Sequence, residues 1–126
     1  MLGNADIIAF VPTRDPEKAR HFYEQTLGLK FISQDPFALQ FSVNGITLRI
    51  ANVSTVKNYT PAPFTILGWH VPDAASTVRE LTNRGIVFER FPGMNQDAQG
   101  IWQSPSGAQV AWFKDPDGNI LSLTQS

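Results

Sequence analysis

The stretch DPEKARHFYEQTLGLKF, residues 15–31, carries the marks of a helix set between two strands. Asp15 suits the N-cap and Pro16 the first helical position. Ala19, Phe22, Tyr23, Thr26 and Leu27 then recur at helical spacing until Gly28 ends the pattern. The apolar run ADIIAF at 5–10 comes before it and reads as a strand. About 58 residues further on the plan returns as FTILGWHVPDAASTVRELTNRGIVF, residues 64–88. There Asp73 caps, Ala74, Val78 and Leu81 share a face, and Gly85 terminates. Two copies are too few for a solenoid, so the repeat is a duplication within one domain.

Between the copies lie FALQFSVNG (37–45) and ITLRIANV (46–53), joined at Asn44-Gly45, a strong hairpin turn. The second copy continues as GIWQSPSGAQVAWFKDPDGNILSL (100–123), with turns at Pro105-Ser106-Gly107 and at Asp115-Pro116-Asp117-Gly118. Each half therefore reads βαβββ. The fold class is α+β: one domain over 1–126, with modules at about 1–56 and 64–126 and a linker at 57–63. The stretch PGMNQDAQG (92–100) is a loop long enough to act as a lid.

The bulk chemistry narrows the function. With 42% hydrophobic and 17% charged residues among 126, the chain can bury a core. A net charge of −1 with no basic stripe argues against nucleic acid and against a charged membrane surface as partners. No apolar run reaches the length of a membrane span, and the N-terminus lacks the features of a secretory signal, so a cytoplasmic location is expected. The absence of cysteine removes disulfides, thiolate metal sites and cysteine nucleophiles, and His21 and His70 are the only imidazoles. GxGxxG and GxxxxGK[ST] phosphate loops are both missing.

The duplicated βαβββ plan, the helix motif Phe22-Tyr23 with Leu27-Gly28, and the turn KDPDGNILSL resemble the vicinal oxygen chelate superfamily of glyoxalase I, extradiol dioxygenases and bleomycin-resistance proteins. The resemblance implies that each half curls into a concave sheet, that the two together cup a cavity, and that a symmetric homodimer often completes it. It also implies that metal-dependent members carry a His or Glu on each of four strands, at positions that fall here on Ile8, Arg49, Ile66 and Ser122. Two aliphatics, a permanent cation and a hydroxyl are not a ligand set for a divalent ion. No metal or other cofactor is expected, and metal-dependent lyase, isomerase or dioxygenase chemistry becomes the alternative.

Strand alternation sorts the candidate residues. Ile8 and Phe10 of the first strand, Thr47 and Arg49 of ITLRIA, and Ile66, Gly68 and His70 face the cavity, as do Ile120, Ser122 and Thr124. Ile46, Leu48, Ile50, Leu121 and Leu123 go to the core. Arg49 can pair bidentately with a carboxylate, phosphate or enolate, or with an acid of the chain itself. An imidazole can serve as a general base, which makes His70 the one catalytic candidate, and it can equally be a hydrogen-bonded structural residue. Trp102, beside the long loop, is the aromatic most suited to touch a ligand, and Ser122 offers one hydrogen bond. Together these residues predict a metal-independent protein that binds a small organic, anionic or aromatic ligand.

Overall fold

The computed structural model describes residues 1–126 as two compact units, Met1–Thr60 and Pro61–Ser126. After a short 3-10 turn at Leu2–Asn4, the first unit runs β1 (Ile8–Thr13), α1 (Pro16–Arg20), β2 (Lys30–Gln34), β3 (Ala38–Val43) and β4 (Ile46–Asn52). The second runs β5 (Thr65–His70), α2 (Ala74–Asn83), β6 (Trp102–Gln103), β7 (Gln109–Lys114) and β8 (Ile120–Gln125). Their sheets have matching orders, β1-β4-β3-β2 and β5-β8-β7-β6, with the first pair parallel and the others antiparallel in each. The α+β class and the repeated βαβββ plan read from the sequence are thus what the chain forms.

Local signals account for most of this. Asp15 accepts from Lys18 N at 3.2 Å, and Asp73 does the same for Ser76 N at 3.2 Å, so both copies start their helix with one device. The first helix does not continue as α-helix to Gly28. Its second half, His21–Thr26, widens to π-type bonding, with Leu27 N reaching the Phe22 carbonyl at 2.9 Å. Asn44 and Gly45 take φ of 46° and 86°, the left-handed pair that a two-residue hairpin turn needs. In the DPDGN turn the buried Asp115 carboxylate accepts from Asp117 N and Asn119 N, each at 2.9 Å, and from Asn119 Nδ2 at 2.8 Å. This turn delivers the chain into β8 in a fixed register.

One face of each sheet packs under its helix. In the first unit Val11, Leu39, Phe41, Leu48 and Ile50 join Ala19 and Tyr23, with Tyr23 and Phe41 rings 6.2 Å apart. In the second, Ala111, Phe113, Leu121 and Leu123 meet Ala74, Val78 and Leu81, and Trp69 stacks on Phe113 at 6.4 Å. Ile46, expected in the core, is 45% exposed because it sits next to the hairpin turn, beyond the helix's cover. The strand that the repeated strand–helix–strand plan puts after Gly85, at residues 86–88, is also displaced. That segment joins no ladder, and the two-residue β6 forms instead at Trp102–Gln103.

Candidate functional site

The opposite sheet faces hold the residues singled out from the sequence. In the first unit, register places Ile8 beside Thr47, Phe10 beside Arg49, and Arg49 beside Gln40 of β3. Alternation then points Ile8, Phe10, Thr47 and Arg49 to the face away from α1. Ile8 is 50% and Phe10 61% exposed, so this face is open and apolar at one edge. Arg49 is half-buried on it, and none of the chain's ion pairs engages it. The acid whose charge it feels is Asp35. The Asp35 carboxylate accepts from Phe37 N at 2.7 Å and Ala38 N at 2.9 Å, and these bonds, with a smaller contribution from Arg49, hold its pKa below the ordinary aspartate value.

In the second unit Gly68 lies beside Ser122 and His70 beside Thr124, while Trp112 flanks Ser122 from the other side. Gly68, His70, Ser122 and Thr124 share one face, as the alternation predicts. Ile66 departs from it. The register slips between Thr65 and Leu67, so Ile66 is the extra residue of a bulge and not a regular member of the row. Ser122 is buried, and a Cβ at Gly68 would meet its Oγ at 2.5 Å, which is why this row has no side chain at 68. His70 is exposed, with Nε2 2.8 Å from Ser126 Oγ, and no carboxylate is paired with its ring.

Trp102 pairs with Val110 on the same face and lies 6.1 Å from Trp112. Phe91 meets Trp112 edge-on at 5.4 Å, and Trp112 Nε1 donates to Thr65 Oγ1 at 3.1 Å. The three rings make an aromatic wall. Of them, Phe91 was not identified from the sequence, because it belongs to a segment without alternation. In the first unit Phe41 is core, and Phe31 packs edge-on against it beneath the Arg20 guanidinium, 3.7 Å from the ring centroid.

The 92–100 loop is tied down. Gln96 Nε2 donates to Glu89 O and Gly100 O at 2.9 and 2.8 Å while its Oε1 accepts from Phe91 N at 2.9 Å. The Asp97 carboxylate accepts from Gln99 N and Ile101 N. These bonds define an ordered surface loop, and they oppose the opening motion of a lid.

The sequence profile of the glyoxalase/bleomycin resistance protein/dioxygenase superfamily matches residues 6–123. The chain belongs to that superfamily. Among curated proteins none matches its sequence. Solved structures reproduce its fold: a superfamily member from Sphaerobacter thermophilus is 25% identical over the whole of both chains, with a TM-score of 0.75. The antibiotic binding protein TnmS3 from a Streptomyces species is 24% identical, covers 99% of this chain and 98% of its own, and has a TM-score of 0.70. Lactoylglutathione lyase from Agrobacterium tumefaciens is 18% identical over 98% of this chain and 94% of its own, at 0.69. No three His, Asp or Glu side chains of the chain converge in a group that could hold a metal ion, and the four positions to which the resemblance assigns the ligands offer two aliphatics, a guanidinium and a hydroxyl, which do not fit one.

Proposed function

We propose that this superfamily member binds a small organic anion with a planar, apolar body, without a metal, on the open sheet face of its first unit, and that a second copy of the chain covers that face. The observation that carries the reading is Arg49. A guanidinium half-buried on an apolar sheet face, beside Phe10 and Gln40 and outside every ion pair, is a cation in want of a carboxylate or phosphate. Ile8 and Phe10 supply apolar surface beside it, and within the second unit the wall of Phe91, Trp102 and Trp112 is a stacking surface of its own, with Ser122 and His70 on its sheet face as hydrogen-bonding groups. That TnmS3, similar over nearly its whole length, is an antibiotic binding protein supports binding over turnover. The exposed Ile8 and Phe10 support a homodimer.

The test is calorimetric titration of the metal-stripped protein and of Arg49→Ala with 2-naphthoate, and of the wild type with Zn(II) and Ni(II). The reading expects saturable naphthoate binding, weakened at least about tenfold in the variant, as loss of a charge-assisted pair implies. Equal binding by the variant, or stoichiometric micromolar metal binding by the wild type, overturns it.

A further inference from the structure

On the helix side of the second unit, opposite the aromatic wall, the chain encloses a cleft of about 420 Å³. Its origin is local. Gly85, at φ 97°, and Ile86 end α2 in a Schellman turn, with Gly85 N bonded to Thr82 O and Ile86 N to Leu81 O, both at 3.0 Å. The turn sends residues 86–90 back along the last two turns of the helix, and the space between the two runs is the cleft. Val78, Ile86 and Phe88 give it an apolar lining, with Phe88 fixed edge-on against the buried Phe113 at 5.5 Å. The third wall is Ala98–Gln99. It is held in place by Gln99 Nε2 on Ala75 O at 3.2 Å and by Arg90 Nη2 on Asp97 O at 2.6 Å.

The charge of this cleft is one-sided. Arg79 and Arg90 line it and no carboxylate side chain does. The nearest acids in sequence are occupied elsewhere, Glu80 by Arg84 at 2.9 Å and Glu89 by Lys114 at 3.6 Å, and Arg79 takes part in no ion pair. The Schellman bonds also engage the last helical carbonyls, so the negative end of α2 is not presented bare. An apolar trough of this size with a cationic rim fits the dimensions of a small-molecule site, and its walls are already in place before a ligand arrives.

We infer that this cleft is a second binding site, for a small amphipathic carboxylate whose apolar body lies along Val78, Ile86 and Phe88 and whose anionic end meets Arg79. It is independent of the anion site at Arg49, and it involves neither the aromatic wall nor the open sheet faces.

The test is a titration of the isotope-labelled protein with hexanoate, and with 1-hexanol as the uncharged match, followed by backbone amide shifts. Hexanoate shifts Val78, Arg79, Asn83, Val87 and Phe88 saturably below about 50 mM, and hexanol binds there about fivefold more weakly or worse. Arg79→Gln, which keeps helix propensity and breaks no ion pair, brings hexanoate down to the affinity of hexanol. Absence of saturable shifts in these amides, equal affinities for acid and alcohol, or hexanoate binding unchanged by Arg79→Gln each overturns the proposal. The acid-to-alcohol ratio in the wild type decides the matter even if the variant folds poorly. Running the series in Arg49→Ala separates the two sites, since shifts near residues 47–51 disappear there while those at 78–88 persist.

Discussion

Asp35 and Arg49 show how a single residue is committed or left free. Asp35 spends one carboxylate oxygen on two backbone amides of its own turn and forms no ion pair with Arg49, whose charge lowers its pKa only as the smallest contribution. The lowered Asp35 pKa has a consequence for stability against pH. A carboxyl whose folded pKa is depressed stabilises the fold fully above its unfolded value, near about 3.9, and that contribution is lost as pH falls through the folded value. Asp35→Asn keeps an oxygen acceptor and removes the charge. Its melting temperature is expected to lie below wild type at about pH 6 and to converge with it as pH falls through the folded Asp35 pKa, where both side chains become neutral. Thermal scans across that range check this, and a gap that persists or widens in acid contradicts it. Arg49 itself was legible in the sequence, because alternation along one short strand fixes its face. Its freedom from a partner was not, since that depends on where a turn twelve or more residues away spends its carboxylate.

At the scale of elements, the sequence announced what is encoded locally. Both helix starts, the Asn44-Gly45 hairpin and the DPDGN turn each depend on a few adjacent residues, and each formed where those residues lie. The displacement of β6, the bulge at Ile66 and the Arg79–Arg90 cleft were not legible. Gln96 fixes the loop by bonding Glu89, Phe91 and Gly100, residues that composition alone does not bring together. The bulge breaks the strict alternation from which faces were read. The β5–β8 ladder offers a test of this row. Gly68→Ala places a methyl 2.5 Å from Ser122 Oγ, and overpacking of this kind costs about 1–3 kcal/mol. In a Ser122→Ala background the nearest remaining contact is the Ser122 carbonyl at 3.4 Å, ordinary van der Waals distance. There the alanine gains about 0.5–1 kcal/mol from lower chain entropy in the unfolded state. Denaturant melts of the two singles and the double are expected to show that change of sign, and additive effects would place the strain elsewhere.

For the molecule as a whole, the question is what covers the open face of the first unit. Ile8 and Phe10 stand exposed side by side with the half-buried Arg49 on it, and an exposed apolar patch of this kind marks an interaction surface. Solved structures 18–25% identical to this chain reproduce its fold, so the scaffold is kept while most of the side chains on it change. The proposed cover is a second copy of the chain, since a two-fold interface buries the same residues twice. Each fully covered Phe is worth roughly 1.5–3 kcal/mol, and placing a carboxylate there adds a desolvation cost in both copies. Phe10→Glu is therefore expected to weaken a homodimer by at least about a hundredfold, roughly 2.7 kcal/mol, while circular dichroism stays that of the folded chain. Sedimentation equilibrium should find wild type dimeric and the variant monomeric at about 10 µM, with a melting temperature that rises with protein concentration in the wild type alone. A wild-type chain that stays monomeric at about 100 µM would assign the exposed row to a different partner and leave Arg49 to bind its anion on an open sheet.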